Sequence, residues 1–408
     1  MHRIDTATAV NSLFVEKDPV LGLAPTEVSG DWLNAVQEEI VSTIEGSGLV
    51  LDKADNTQLL QAIDARVAPG VFRKNALINA AFSVNQRFPT AVVTVGVAYT
   101  SATTEPYYVD RWRFQIPTGA GDLRVLQDEH PLDVTAETLP QNLVAPQFFL
   151  NLNAVAGFAN EPPTMSQRIE DVRTFAGLKV ALSFYARINA GSTQVVPKLI
   201  QDFGSTGSSP VTLTGSPITL TSSWNRYTAS FTLGSLAGKT VGLFTGAPDH
   251  YLEALLEFDQ SATFDVDVSH VQLERGVLAS EFEAVREADE LLSCLRYYEK
   301  STNGDHAPSV SEVVSTVNGA YVPASGLVNK GANRPFKVVK RDEPTMTWYT
   351  GGVGASTPDR ILWGGVVRTV AGTEASSRSA YATGSPECTT APASLDEYEC
   401  NWEADAEL

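Results

Sequence analysis

Cysteine is scarce in this sequence: Cys294, Cys388 and Cys400 are the only three among 408 residues. Three thiols cannot build a disulfide framework or a four-ligand zinc site. Cys388 and Cys400 are spaced to close one loop, worth roughly 3 kcal/mol at that size. Free, buried thiols are the preferred reading, because Cys400 alternates in phase with Tyr398 and Trp402. Charge is sparse as well, 19% of residues against about a quarter in ordinary globular chains. It is also lopsided, with 48 acidic and 29 basic residues and a formal net charge of −19. That balance repels phosphate backbones, so a nucleic-acid partner is excluded, and it opposes adsorption to an anionic membrane surface. No apolar run approaches the ~20 residues of a membrane helix, so no membrane insertion is expected. The opening Met1-His2-Arg3-Ile4-Asp5 lacks the long apolar stretch of a signal peptide. Synthesis in the cytoplasm without export by the usual route is therefore expected.

Catalytic signatures are equally thin. The five histidines are scattered, and none stands in H-x-E or H-E-x-x-H. His250 and Glu253 at most share a helical turn. No G-x-S-x-G elbow occurs, and Cys294 has no histidine near it in sequence. Residues 234–240 resemble a phosphate loop but are one residue short, and they join two strands rather than a strand and a helix. A turn is the reading there. Asp265 and Asp267 share one strand face; they form either a solvated outer face or, with carbonyl help, a calcium site. A glycosidase needs only two placed carboxylates, and no pair stands out among 48 acidic residues. The expectation is a protein without catalytic residues, cofactor or metal.

What is present is turn-rich and apolar enough to fold. Hydrophobic residues make up 43%, with Gly (30), Pro (22) and many Ser and Thr. The length suggests two to three domains. Residues 1–70 read as helical: Trp32, Leu33, Val36, Ile40 and Ile44 recur at helical spacing, with Asp31 as the expected cap and Gly46-Ser47-Gly48 as the stop. A second helix is expected over residues 55–66. Two short helices bury little alone, so they dock either on the rest of the chain or on a partner.

From residue 71 the period changes to two. Val180, Leu182, Phe184 and Ala186 alternate with smaller or polar residues, as do Tyr227, Ala229, Phe231 and Leu233. Phe264, Val266 and Val268 keep one phase, while Val271 and Leu273 take the other. One inserted residue explains the flip and predicts a β-bulge at Ser269 or His270. The fold class expected is mainly β: a short helical N-terminal anchor (1–70), a central antiparallel jelly-roll-like sandwich (71–280), a linking helix (281–300) and a C-terminal β-sandwich tip (301–408).

In the linking segment Ser280-Glu281-Phe282-Glu283 fits a capping box, and Val285, Ala288, Leu292 and Leu295 form a narrow apolar seam. The helix packs on a sheet or meets its copies about a symmetry axis; the second reading predicts a homotrimer. In the last region strands are expected over residues 345–350 and 360–368 and at the C-terminus. There Tyr398, Cys400, Trp402 and Ala404 face one way, and Glu397, Glu399, Asn401 and Glu403 the other. Seven acidic residues and no basic one come after Arg378, an edge that resists aggregation. Trp348, Tyr349, Trp363 and Tyr381 stand in Gly-, Ser- and Thr-rich surroundings, suited either to a small core or to stacking on a receptor.

Several stretches carry a resemblance. The opening six residues, then Asp31-Trp32-Leu33-Asn34-Ala35-Val36-Gln37-Glu38-Glu39-Ile40, then residues 51–63, resemble the N-terminal segment of tail-fibre proteins from phages and prophages of Gram-negative bacteria. Residues 75–82, Tyr108-Val109-Asp110-Arg111-Trp112, Ser166-Gln167-Arg168-Ile169-Glu170, residues 182–186, Val271-Gln272-Leu273-Glu274 and Cys294-Leu295-Arg296-Tyr297-Tyr298 are similar to phage fibre modules that look like carbohydrate-binding jelly rolls. The ending, residues 402–408, resembles the close of fibre tip domains. The resemblance implies a virion protein whose residues 1–70 dock on a tail or baseplate protein through Trp32, Leu33, Val36 and Ile40. Its distal part, with Trp348, Tyr349, Trp363 and Tyr381 as candidates, is expected to bind a bacterial surface receptor, either a glycan or a pilus or outer-membrane protein. The rival expectations are a polysaccharide-degrading tailspike, disfavoured by the lack of long β-helical repeats, and the fibre of a phage-derived bacteriocin.

Overall fold

The computed structural model describes residues 3–47, 49–66, 74–87, 97–100, 107–115, 122–130, 148–158, 161–242, 249–260, 263–302, 316–317, 334–350, 360–363, 366–369, 380–381 and 398–407. The chain divides into two compact units. The first comprises Met1–Lys74 with Arg275–Glu281, the second Asn75–Glu274 with Phe282–Leu408.

In the first unit helix α1 is Gly30–Glu45 and α2 is Gln58–Arg66. The cap of α1 is Ser29 rather than Asp31: the Ser29 Oγ accepts the Trp32 N–H at 3.2 Å, leaving Asp31 inside the first turn, where a negative charge suits the helix dipole. Helix α2 begins three residues later than its apolar pattern suggests. Asp55 is used before the helix, its Oδ1 accepting both the N–H and the hydroxyl of Thr57. The core of this unit is small. Among its described residues the buried apolar side chains are Ile4, Ile44 and Ala62, whereas Leu33 is 53% and Ile40 41% exposed. Trp32 and Val36 are half-buried, Trp32 with its ring edge-on to Phe14 at 5.0 Å.

The second unit holds an antiparallel sandwich, as the period-two strands require. Its strands are β1 (Val97–Thr100), β2 (Tyr107–Val109), β3 (Trp112–Gln115), β4 (Asp122–Glu129), β5 (Phe148–Ala156), β6 (Thr164–Glu170), β7 (Lys179–Gly191), β8 (Gln194–Asp202), β9 (Val211–Thr214), β10 (Ile218–Thr219), β11 (Asn225–Thr232), β12 (Tyr251–Glu257) and β13 (Phe264–Arg275). One sheet runs β1-β4-β5-β13-β7-β11; the other runs β10-β8-β12-β6-β3-β2, with β9 also on β8. Inward residues of both sheets share one core: Val180, Leu182 and Phe184 from the first meet Phe114, Met165 and Leu252 from the second, all at most 1% exposed. The pairing Tyr227↔Phe184 and Phe231↔Val180 keeps the apolar phases of β7 and β11 in step.

The inserted residue in β13 is His270. Its φ of 49° is left-handed, and regular pairing with β5 runs from Phe264↔Ala154 to Val268↔Leu150. Past the bulge Val271 and Leu273 return to the core, and the Val271 N–H donates to the Ala80 carbonyl. Residues 234–240 form a turn, with the Lys239 N–H on the Leu236 carbonyl.

Beyond the sandwich come α3 (Glu287–Leu295), β14 (Tyr298–Lys300), β15 (Thr316–Val317), β16 (Arg334–Pro335), β17 (Thr345–Thr350), β18 (Arg360–Trp363), β19 (Val366–Thr369), β20 (Ala380–Tyr381) and β21 (Tyr398–Asp405). The linking helix is shorter than residues 281–300, and the expected capping box does not form. Its N-cap is Arg286, whose side chain makes no capping bond and instead pairs with Asp289 at 2.9 Å. Glu283 is engaged elsewhere, accepting the Asn75 N–H at 2.7 Å while its own N–H donates to Gln272. The apolar seam is thereby divided. Val285 precedes the helix and is half-buried, Leu295 is 3% exposed, and Ala288 and Leu292 face outward.

The expected strand over 360–368 is two antiparallel strands, β18 and β19, paired from Arg360↔Thr369 to Trp363↔Val366. Strand β21 is no free edge. It pairs with β14 and β17 along its later half and with β15 and β18 at its start. Residues 301–408 are also not a compact unit of their own, since Phe282–Leu408 belongs with Asn75–Glu274. Charged contacts account for this: Arg87 donates to Asp405 at 2.9 Å, and Arg111 to Glu407.

Candidate ligand-binding face

Successive residues of a strand point to opposite faces of its sheet, so one set fills the shared core and the other points away from it. On the six-stranded sheet these outward residues are Phe149, Asn151 and Asn153 on β5, Tyr185, Arg187 and Asn189 on β7, and Asp265 and Asp267 on β13. Strand order brings them together. Asp265 stands opposite Asn153 and Asp267 opposite Asn151, on directly paired strands. The Asn151 Nδ2 donates to Asp265 Oδ1 at 2.6 Å and to Asp267 Oδ1 at 2.7 Å. Arg187 Nε donates to Asp267 Oδ2 at 2.8 Å, and Asn189 Nδ2 to Asp265 Oδ1 at 3.1 Å.

Beside this polar lattice lies an aromatic cluster separate from the core: Phe149, Tyr185 and Trp224. Phe149 and Trp224 meet edge to face at 5.7 Å, His130 lies against both, and the Arg187 guanidinium sits 4.9 Å from the Trp224 ring. Trp224 is 4% exposed, yet its indole N–H has no hydrogen-bond partner among the described residues. The same holds for both ring nitrogens of His270, which packs on Tyr185 and on Phe282. Burial, then the nearby His130 and Arg226, pushes the His270 imidazole down to about 3. Planar amides and carboxylates beside an aromatic cluster are the groups that satisfy hydroxyl-rich ligands.

Of the expected candidates, Asp265 and Asp267 belong to this face. Asp267 is ion-paired with Arg187, which takes up the charge a cation would need. No group of three or more His, Cys, Asp or Glu suited to a metal ion occurs among the described residues. The neighbours Asn151, Asn153, Arg187 and Asn189 went unread in the sequence, although the alternation that marked the core also marks them as outward. His250 and Glu253 share no helix: His250, 2% exposed, accepts the Val172 N–H, and Glu253 on β12 pairs with Arg113 at 2.9 Å.

The C-terminal aromatics divide differently. Tyr349 is half-buried, and its hydroxyl donates to Glu403 Oε1 at 2.7 Å; Tyr298 donates to Oε2 of the same carboxylate at 2.6 Å. Glu403 therefore holds two strands together instead of facing water. Trp402 is 6% exposed, against Phe336. Trp348, Trp363 and Tyr381 have backbone places in β17, β18 and β20, opposite Trp402, Val366 and Arg334; their side chains lie outside the described residues. So do those of Glu397, Tyr398, Glu399 and both distal cysteines, while Cys294 is a buried free thiol.

Three of the resemblance-bearing stretches converge at one joint. Arg111 packs on Tyr297, Arg87 on Tyr298, and Arg296 binds Glu170 through two bonds of 2.9 and 2.8 Å. No family model matches the chain. The chain is 38% identical over 72 residues to "Uncharacterized protein StfP" of Escherichia coli (strain K12), covering 16% of this chain and 34% of that protein. It thus spans about a third of that relative's length. Among solved structures it is similar to the enzymatically active domain of tailspike protein 4 from bacteriophage CBA120 (14% identity, TM-score 0.26, 40% of this chain and 19% of that one). Another is a family 11 carbohydrate-binding module from Clostridium thermocellum in complex with a beta-1,3-1,4-mixed-linked tetrasaccharide (13% identity, TM-score 0.26, 46% of this chain and all of that one). No helix among the described residues is long and apolar enough to cross a membrane.

Proposed function

We propose that this chain is a tail-fibre-like protein of a phage or prophage, a component of the virion that binds a glycan of the bacterial surface without cleaving it. The observation that carries the reading is the outer face of the six-stranded sheet, where Asn151, Asn153, Arg187, Asn189, Asp265 and Asp267 form a bonded polar lattice beside Trp224 and Phe149. The N-terminal resemblance to tail-fibre proteins supports the virion assignment. Within this reading the first unit is the docking end, since apolar side chains such as Leu33, Ile40 and Leu60 stand outside its small core. Several copies, three in this reading, join weak glycan sites into strong attachment.

The test is binding of the full chain to host cells and to mutants lacking defined surface polysaccharides. Binding falls on the mutants that lack the receptor glycan, and the purified polysaccharide stays intact on incubation. Equal binding to all glycan mutants would overturn the glycan reading, and release of reducing ends would overturn the claim that nothing is cleaved.

A further inference from the structure

The lattice on the outer face is not fully self-satisfied, and what it leaves over has a definite character. Asn151 spends its amide N–H groups on Asp265 and Asp267, and Arg187 is held by Asp267. Asp265 Oδ2, the Asn189 Oδ1 and the side-chain amide of Asn153 have no hydrogen-bond partner among the described residues. Asn189 is exposed, and Asp265 and Asn153 are half-buried. These three groups are adjacent: Asp265 is the cross-strand partner of Asn153 and is bonded to Asn189.

The surplus is thus one carboxylate oxygen and two amides. Such a set accepts hydrogen bonds from hydroxyl groups and returns them through an amide N–H. A ligand anion placed there would face Asp265 at contact distance, in a chain of net charge −19. The arginines of this face each have a carboxylate or hydroxyl partner, although the Arg124 Nε has none among the described residues. Arg187 is ion-paired with Asp267 at 2.8 Å, and Arg124, cross-strand from Asn153, is paired with Asp122 at 3.4 Å. Arg226, on β11 at the edge of the sheet, donates to Ser183 at 3.1 Å. Asp265 is the carboxylate of the lattice without an ion pair among the described residues, so the uncompensated charge lies on it.

Resting on the glycan-binding reading above, we infer that this face selects neutral sugars, hexose or deoxyhexose units with adjacent free hydroxyls, and rejects uronate, sialate or sulfated glycans. The ligand hydroxyls donate to Asp265 Oδ2 and Asn189 Oδ1, and the Asn153 amide donates back to a ring or hydroxyl oxygen. The buried, unpartnered Trp224 indole N–H lies on the same face beside Arg187.

The experiment is calorimetric or saturation-transfer titration of the full chain. It uses matched sets of neutral hexose and deoxyhexose oligosaccharides and their uronate-containing and sulfated counterparts. The expected result is binding confined to neutral members, weakened about tenfold by Asp265→Asn and by Asn189→Ala. The first replaces a charged acceptor by a neutral amide, and the second removes an acceptor that a sugar hydroxyl uses. Arg173→Ala, at an exposed turn position outside both sheets, leaves neutral binding unchanged. If Asp265→Asn fails to fold, Asn153→Ala and Asn189→Ala carry the test. Preferential binding of the anionic set, or neutral binding that survives all three substitutions, overturns this inference while leaving glycan binding itself standing. Binding of no member of either set overturns the glycan-binding reading and this inference with it.

Discussion

The guanidinium carbon of Arg111 stands 3.4 Å from the centroid of the Tyr297 ring, and the same guanidinium donates to Glu407. Arg87 repeats the arrangement one residue along, 3.9 Å from the Tyr298 ring and bonded to Asp405. Two arginines from the sandwich are therefore each held between an aromatic face and a carboxylate of the terminal segment. Arg111 is 1% exposed, so neither partner is dispensable.

Removing one member of this joint leaves a buried charge. Arg111→Met or Glu407→Gln is expected to destabilise the second unit by about 3–5 kcal/mol. The double variant Arg111→Met with Glu407→Gln leaves no lone charge and should cost less than the two single changes together. Urea unfolding of all three checks this; strict additivity would show that the pair is not coupled.

Trp402 and Tyr349 separate core from receptor contact. Trp402→Ala is expected to cost about 3–5 kcal/mol, because a ring 6% exposed leaves a cavity against Phe336. Tyr349→Phe removes a bond to the Glu403 carboxylate and should cost about 1.5–3 kcal/mol. Host adsorption, measured on the same samples, should track stability for both. A Tyr349→Phe protein of unchanged melting temperature but reduced adsorption would restore Tyr349 as a receptor contact. For Trp348→Ala and Tyr381→Ala the expectation is the reverse: weakened adsorption at nearly constant melting temperature.

The His270 ring is neutral and buried, held down to about 3 where the unfolded chain has an ordinary imidazole near 6.5. The unfolded state therefore takes up a proton that the folded state refuses. The His270 contribution is intact above pH ~6.5 and is lost progressively as pH falls toward 3. Asp110, its carboxyl pushed up to about 6 by burial, acts with the opposite sign over part of that range. The diagnostic quantity is thus the difference between wild type and His270→Asn, a residue that tolerates the left-handed backbone at this bulge. The melting temperature of the variant should fall less steeply between pH 6.5 and 4. Parallel curves would sink the assignment.

Deleting residues 1–66 should leave a folded protein that no longer joins tails, because the core of the sandwich draws on none of them. Incorporation of the truncated chain into particles would contradict the docking role. Full-length protein is expected to sediment at about three times the 43.8 kDa chain mass. Leu292→Asp, at an outward position of α3 that is 54% exposed, should shift it toward monomer without lowering the melting temperature of the sandwich. A clean monomer for the wild type at micromolar concentration would end the trimer proposal.

Alternation along the chain is enough to assign the face of each strand. Residues 180–186 and 264–273 name their own inward side chains and reveal the inserted one, because a single extra residue inverts every side chain after it. The acidic balance and the inward place of Trp402 are legible in the same way. Alternation says nothing about which strand lies alongside. Asn151, Arg187 and Asp265 are far apart in the chain, and they meet only because β13 pairs with β5 and lies next to β7 in the sheet. Strand β21 reads as an acidic edge until β14 and β17 are found on it, and Glu403 then becomes an acceptor for two tyrosine hydroxyls. The apolar stripe on α3 reads as a seam until Leu295 is buried within the second unit and the chain leaves the helix for Tyr297 and Tyr298. Local periodicity is carried by neighbours two or four residues away, whereas strand order is settled by burial and hydrogen bonding across the whole unit. That is why the core was legible in advance and the candidate face was not.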